Sequence, residues 1–156
     1  MIVSTTKTQN MLEAVNEDLF LRHFPTAKVL FQNKGSDSPN SMMNRLLADI
    51  DVHSGKKVCF PNAVLDYIDR QWLILLEIVK YNGVIGSIRR QELLTLFSPI
   101  TERRIVMITA FEDMDEFSQY HAEIAWNTSA WIAEAPEHFI IFNGQNLMAP
   151  LNLRVT

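Results

Sequence analysis

Glu77 closes the apolar run Trp72 to Leu76. A carboxylate left unpaired behind such a run costs several kcal/mol, so it needs a partner. A strand-end glutamate that reaches solvent or pairs with an arginine meets that demand without doing any chemistry. A second polar side chain, Asn62 after Pro61, opens the preceding apolar stretch, and the two stretches are joined by the short polar turn Asp69-Arg70-Gln71. Both stretches are rich in β-branched and aromatic residues, which predicts a β-hairpin of Val58 to Ile68 against Trp72 to Val79. Oxygens from Asn62 and Glu77 on neighbouring strands of one hairpin can share a hard divalent cation such as Mg2+.

The elements around the hairpin follow from periodicity. Met11, Leu12, Val15, Leu19 and Phe20 recur at helical spacing and predict a helix from Gln9 to Phe24, stopped by Pro25. Val29 to Phe31 is a short strand candidate. Asn33 to Ser41 is the most loop-like stretch and the expected mobile segment; Met42 to Ile50 suits a short helix, and Asp51 to Lys57 a polar connection. After Gly86, Ser87 is the candidate N-cap of a helix that ends before Pro99. Arg104 to Phe111 reads as a buried strand, Asp113 to Ile124 as a helix, Ala130 to Ala133 as an extended piece and His138 to Phe142 as a last strand. Helix, hairpin, helix, strand, helix, strand implies an α/β domain with a mixed sheet covered on both faces.

Composition narrows the function classes. A chain of 156 residues is the size of one domain and buries roughly two thirds of its unfolded surface, so residues 1–156 are expected to form one core. With 47% hydrophobic and 21% charged residues, disordered and fibrous readings lose support. The longest apolar run is too short for a bilayer and the N-terminus has no apolar secretion core, so membrane insertion and export are not expected. One cysteine, Cys59, allows no internal disulfide and fits a reducing compartment, read as the cytoplasm. A net charge of -4 argues against non-specific coating of nucleic acid and leaves a nuclease open, because such enzymes concentrate carboxylates at the metal.

From Phe60 to Pro150 the motifs PNAVL, QWLILLEIV, NGVIGSIRRQEL, ITAF and EIAWNTSAWIAEAPEHFIIFNG follow in order and close on MAP. In this succession the chain resembles the catalytic domain of the BsuBI/PstI family of Type II restriction endonucleases, within the PD-(D/E)XK nuclease group. The tryptophan-rich stretch with its FNG ending is the most specific part, and the N-terminal third matches in outline. The resemblance implies a restriction-endonuclease-like mixed β-sheet flanked by helices. It also implies hairpin carboxylates that hold Mg2+, with the metal activating water for attack on a phosphodiester of double-stranded DNA. Glu77 takes the place of the family's strand carboxylate. Lys80 is a candidate basic partner, although in a continuous strand it would face away from Glu77. Arg89 and Arg90, opening the following helix, are candidate phosphate contacts, with a solvated helix start as the alternative. Glu13 and Glu17 could complete a metal shell as a first-helix glutamate does in this group, but a solvated helix face is the preferred reading. A palindromic target would favour a homodimer, twofold protein on twofold DNA.

Two departures from the family pattern stand out. The motif has aspartate after the proline, and here Asn62 offers a carbonyl oxygen without charge. Losing about 4 kcal/mol of transition-state stabilisation would slow the reaction roughly a thousandfold. Asp66 is the other candidate metal ligand beside Glu77 and Asn62; it lies on the same strand face but roughly 13 Å from Asn62 at about 3.3 Å per residue, so it substitutes only after a register change. Asn62 then marks either a naturally silenced member or an introduced change, and the alternative function is a catalytically inactive nuclease-fold module that binds DNA or protein. The second departure is length: the family's N-terminal DNA-reading region is expected to be missing. Elsewhere, His23, His53, His121 and His138 fall in separate segments with no zinc-ligand spacing. Cys59 reads as a buried thiol, and Trp126 and Trp131 read as core, with stacking on DNA as the alternative.

Overall fold

The computed structural model of the chain describes residues 11–32 and 60–143. The expected loop at Asn33 to Ser41, the short helix at Met42 to Ile50, His53, Cys59 and the closing MAP lie outside the described residues.

Helix α1 runs through Met11–Ala14, a π-helical stretch Val15–Phe20 and Leu21–His23. It is followed by β1 (Lys28–Gln32), β2 (Ala63–Tyr67) and β3 (Trp72–Ile78). The chain then forms the short helix α2 (Val79–Asn82), helix α3 (Ser87–Phe97) and strand β4 (Arg104–Phe111). Helix α4 (Met114–Tyr120) and strands β5 (Thr128–Ile132) and β6 (Phe139–Phe142) complete it. The six strands form one sheet in sequence order. β1, β2 and β3 pair antiparallel, β3, β4 and β5 pair parallel, and β6 returns antiparallel to β5. This is the mixed α/β sheet anticipated from the order of apolar runs.

Sheet burial explains why β3 reads as an unbroken apolar run: both of its faces are covered. On one face Leu65, Ile74, Leu76, Ile108 and Trp131 pack against Met11, Val15, Leu19 and Phe20 of α1. On the other face Val64, Leu73, Leu75 and Met107 meet Leu93, Leu96 and Phe97 of α3, and Phe111 and Ile132 meet Phe117 of α4. Glu13 and Glu17 project from the solvated side of α1. The Trp131 indole N–H donates to the carbonyl of Pro136 at 3.1 Å, and a ring nitrogen of His23 reaches the same oxygen at 2.7 Å. His23 therefore satisfies a structural contact in this corner.

Several boundaries differ from the sequence expectation. The hairpin forms, but its second strand stops at Ile78 and Val79 already belongs to α2. Its turn is a 3-10 step, Ile68–Arg70, followed by Gln71 at φ 58°. Helix α4 begins after the cap Asp113, whose carboxylate accepts from the Glu116 N–H at 2.9 Å, and gives way at Tyr120 to the 3-10 turn His121–Glu123. Trp126 is not core: it is 64% exposed, because it precedes β5 at a bend where Asn127 adopts φ 67°. No helix among the described residues is long and apolar enough to cross a membrane.

Candidate active site

Strand alternation sets the starting point. Leu73, Leu75 and Glu77 share the face of β3 that looks toward α3, so the packing that buries two leucines also buries the carboxylate. Glu77 is 1% exposed. Burial raises its pKa above the ordinary 4.5, and the nearby Arg89 cation, with side-chain hydrogen bonds from Arg89 and Asn82, works in the opposite direction. The partner demanded by the sequence is Arg89, whose Nε donates to Glu77 Oε2 at 2.5 Å, with Nη1 donating to Glu92 Oε1 at 3.1 Å. One guanidinium thus bridges a buried carboxylate and an exposed one.

The backbone that carries Arg89 is fixed by buried groups. Thr109 stands opposite Glu77 in the parallel β3–β4 register. Its hydroxyl oxygen accepts the Ile85 N–H at 3.2 Å, while the Ile85 carbonyl accepts from the Ala125 N–H at 2.9 Å. Both backbone groups of Ile85 are therefore satisfied just before α3 begins. At Gly86, the residue preceding that helix, a Cβ would lie 3.1 Å from the Glu123 carbonyl, a close approach suited to glycine. Thr109→Val should cost about 1–3 kcal/mol in urea unfolding by stranding the buried Ile85 N–H, and Thr109→Ser should restore most of it. Equal stability of the valine variant would remove Thr109 from this role.

Asn62 sits at the foot of β2 and is fully buried. Its Oδ1 accepts the Ile78 N–H at 2.7 Å, one residue beyond Glu77. Asn82, the last residue of α2, donates to the Phe60 carbonyl at 3.2 Å and also hydrogen-bonds Glu77. It ties the Pro61-Asn62 entry to the glutamate, and Gly83 at φ 87° lets the chain turn away immediately afterwards. Val84, Gly86, Ser87, Ile88, Arg89, Glu92 and Glu123 line an open pocket of about 420 Å³ beside this cluster.

Asn62, Glu77 and Arg89 are thus brought together, and Asp66 is not. The β2–β3 register runs without a shift from Ala63 opposite Leu76 to Tyr67 opposite Trp72, so Asp66 stays at the far end of the hairpin. There Arg103 Nε lies 2.6 Å from Asp66 Oδ1. Lys80 is exposed on α2, and the alternation that would have turned it from Glu77 does not apply, since the strand has ended. Arg90 is half-buried on α3 and donates its backbone N–H to Gly86 at 2.8 Å. Sequence reasoning missed Asn82, Thr109 and Glu92. An Asn-Gly pair after the strand and a lone threonine inside RIVMITAF were the available signals for the first two. Among the described residues, no group of three or more His, Cys, Asp or Glu converges on one point.

The comparisons with known proteins agree with this architecture. The chain is 29% identical over 140 residues to the Type II restriction enzyme BsuBI of Bacillus subtilis, covering 90% of this chain and 44% of that protein. It is 32% identical over 146 residues to the Type II restriction enzyme AplI of Arthrospira platensis, covering 88% and 44%. The structure of SdaI restriction endonuclease matches with a TM-score of 0.69 and 30% identity, over 90% of this chain and 44% of that one. The chain therefore spans less than half the length of these relatives. The model of the BsuBI/PstI restriction endonuclease domain matches residues 1–145, and the chain belongs to that family.

Proposed function

We propose that this chain is the catalytic part of a Type II restriction endonuclease that hydrolyses phosphodiester bonds of double-stranded DNA with Mg2+ in the cytoplasm. The observation that carries the reading is the buried Glu77, matched by a single guanidinium beside an open pocket, in a chain of this family. The donor set suits Mg2+, which binds through one or two carboxylates, keeps several waters and takes further oxygens from substrate phosphates. Glu77 is the carboxylate, and the Asn62 position is the neighbouring oxygen. When bound, the ion supplies Lewis acidity to the phosphate and lowers the pKa of an attacking water.

The protein groups do the rest. Asn82 holds the Glu77 carboxylate to the Pro61-Asn62 entry, and Thr109 fixes the start of α3. Arg89 is the guanidinium placed to meet a phosphate as a planar fork. Lys80 and Arg90 are assigned as outer phosphate contacts. A homodimer would match a palindromic target.

One observation favours a second reading, a silent nuclease-fold module that binds DNA or protein. The uncharged Asn62 is already engaged by the Ile78 N–H and adds no second negative charge beside Glu77. A supercoiled-plasmid assay separates the two. Nicked and linear products that require Mg2+ and vanish with chelator support the nuclease. Absence of product from this chain and from Asn62→Asp alike, with Mg2+ or Mn2+, overturns it in favour of the silent module.

A further inference from the structure

Arg89 occupies an unusual position for a phosphate-binding residue, because its charge is already committed. Its Nε is on Glu77 and its Nη1 on Glu92, at 2.5 and 3.1 Å. The two carboxylates differ sharply in environment: the Glu77 side chain is 1% exposed and that of Glu92 is 60% exposed. A carboxylate as buried as Glu77 keeps its charge only beside a counter-charge, and a hard dication would satisfy the same oxygens. Two cations on one carboxylate repel at short range, more strongly in a partly desolvated site. The inner arm of the fork must then let go while the outer arm has an exposed anion to hold.

The backbone under Arg89 has no such freedom. Ile85 is anchored through both its N–H and its carbonyl, and Gly86 lies against the Glu123 backbone. Movement is therefore left to the arginine side chain, whose 18% exposed edge already lines the open pocket with Ser87 and Glu92. A phosphate entering that pocket can take the Nε edge of the guanidinium only after Glu77 has released it.

We propose that Arg89 is an exchangeable counter-ion, held on Glu77 until a divalent cation takes that carboxylate and then passed along Glu92 to a DNA phosphate. The inference rests on the reading of Glu77 as the metal ligand. Its consequence is reciprocal coupling: the cation and the duplex each tighten the binding of the other, by linkage. It also reverses the expectation for a site arginine. Removing Arg89 favours the cation in the absence of DNA, because nothing has to be displaced.

The test uses Ca2+, which shares the oxygen preference of Mg2+, titrated by calorimetry into the chain with and without a short mixed-sequence duplex, for the unaltered protein, Arg89→Met, Arg89→Lys and Glu77→Gln. The unaltered chain should bind Ca2+ about tenfold more tightly when saturated with duplex. Arg89→Met should bind Ca2+ about tenfold more tightly than the unaltered chain without DNA, and should gain less from the duplex. Ca2+ should also steepen the salt dependence of duplex binding by about one phosphate contact more in the unaltered chain than in Arg89→Met.

If Arg89→Met fails to fold, Arg89→Lys answers the same question, since the ammonium lacks the planar fork that places Nε on Glu77 and Nη1 on Glu92. Its Ca2+ affinity should rise and its coupling shrink. An arginine replacement that folds and leaves DNA-free Ca2+ affinity and the salt increment unchanged overturns the exchange alone. Ca2+ binding that is absent throughout, or untouched by Glu77→Gln, overturns the metal reading and the exchange with it.

Discussion

Asn62→Asp should raise Mg2+-dependent DNA cleavage by roughly a thousandfold, the equivalent of about 4 kcal/mol of transition-state stabilisation. The substitution is nearly isosteric, and the side chain is already fixed against the end of β3. Asn62 is fully buried, its oxygen faces the Ile78 N–H at 2.7 Å, and Glu77 is the residue before. An aspartate oxygen accepts the same bond, so the fold gives up little shape. It adds the second negative charge that a hard cation draws on. The same charge is a liability without metal, because two carboxylates in one buried site oppose each other's ionisation. Metal-free Asn62→Asp should therefore melt below the parent chain, and Mg2+ should raise its Tm by more than it raises the parent's. Nicking rates on supercoiled plasmid and paired thermal melts check both halves. A variant that gains Mg2+ stabilisation but no cleavage would assign the domain to binding.

Much of this site was legible in the sequence because it lies where one physical signal is strong. The run Trp72 to Leu76 has no polar face, which requires a strand covered on both sides, and a glutamate ending that run must either reach solvent or find a partner. Asp66 could stand as a candidate metal ligand only by allowing a register change, and the unshifted register keeps it at the far end of the hairpin. The end of β3 was hidden, since Val79 continues the apolar run and only the Asn-Gly pair beyond it hints that the backbone has turned helical. Lys80 therefore lies on α2, where strand alternation does not set its direction. The Arg89–Glu77 pair was hidden more deeply. The two residues meet because α3 crosses back over the β3 face, and a tertiary approach of this kind leaves no mark on local periodicity. Trp126 and Trp131 show the same limit. Both suit a core by type, but only Trp131 lies inside a paired strand, while Trp126 falls at a left-handed bend.

Glu77→Gln should abolish metal binding and cut cleavage at least a thousandfold, more than about 4 kcal/mol, while making the metal-free protein more stable at neutral pH. The first half follows from the donor set: glutamine keeps the shape and hydrogen-bonding reach but has no charge for a hard cation. The second follows from the direction of the pKa shift. Burial lifts the Glu77 pKa above 4.5 despite Arg89 and Asn82, so between 4.5 and the raised value the native state holds more protons than the unfolded one. Unfolding free energy therefore falls as pH rises through that interval, the reverse of an ordinary salt-bridged carboxylate. Below pH 4.5 the protonated glutamic acid resembles glutamine and the two proteins should melt together. Above the raised pKa the glutamine variant should melt higher, with Arg89 still held by Glu92. Thermal melts of both chains across this pH range in chelator read the crossing directly. A variant that is less stable at neutral pH would mean that the Arg89 pair outweighs the cost of burying the charge. Glu77 would then be a net structural ion pair, and a cation would have to displace a contact that the fold depends on.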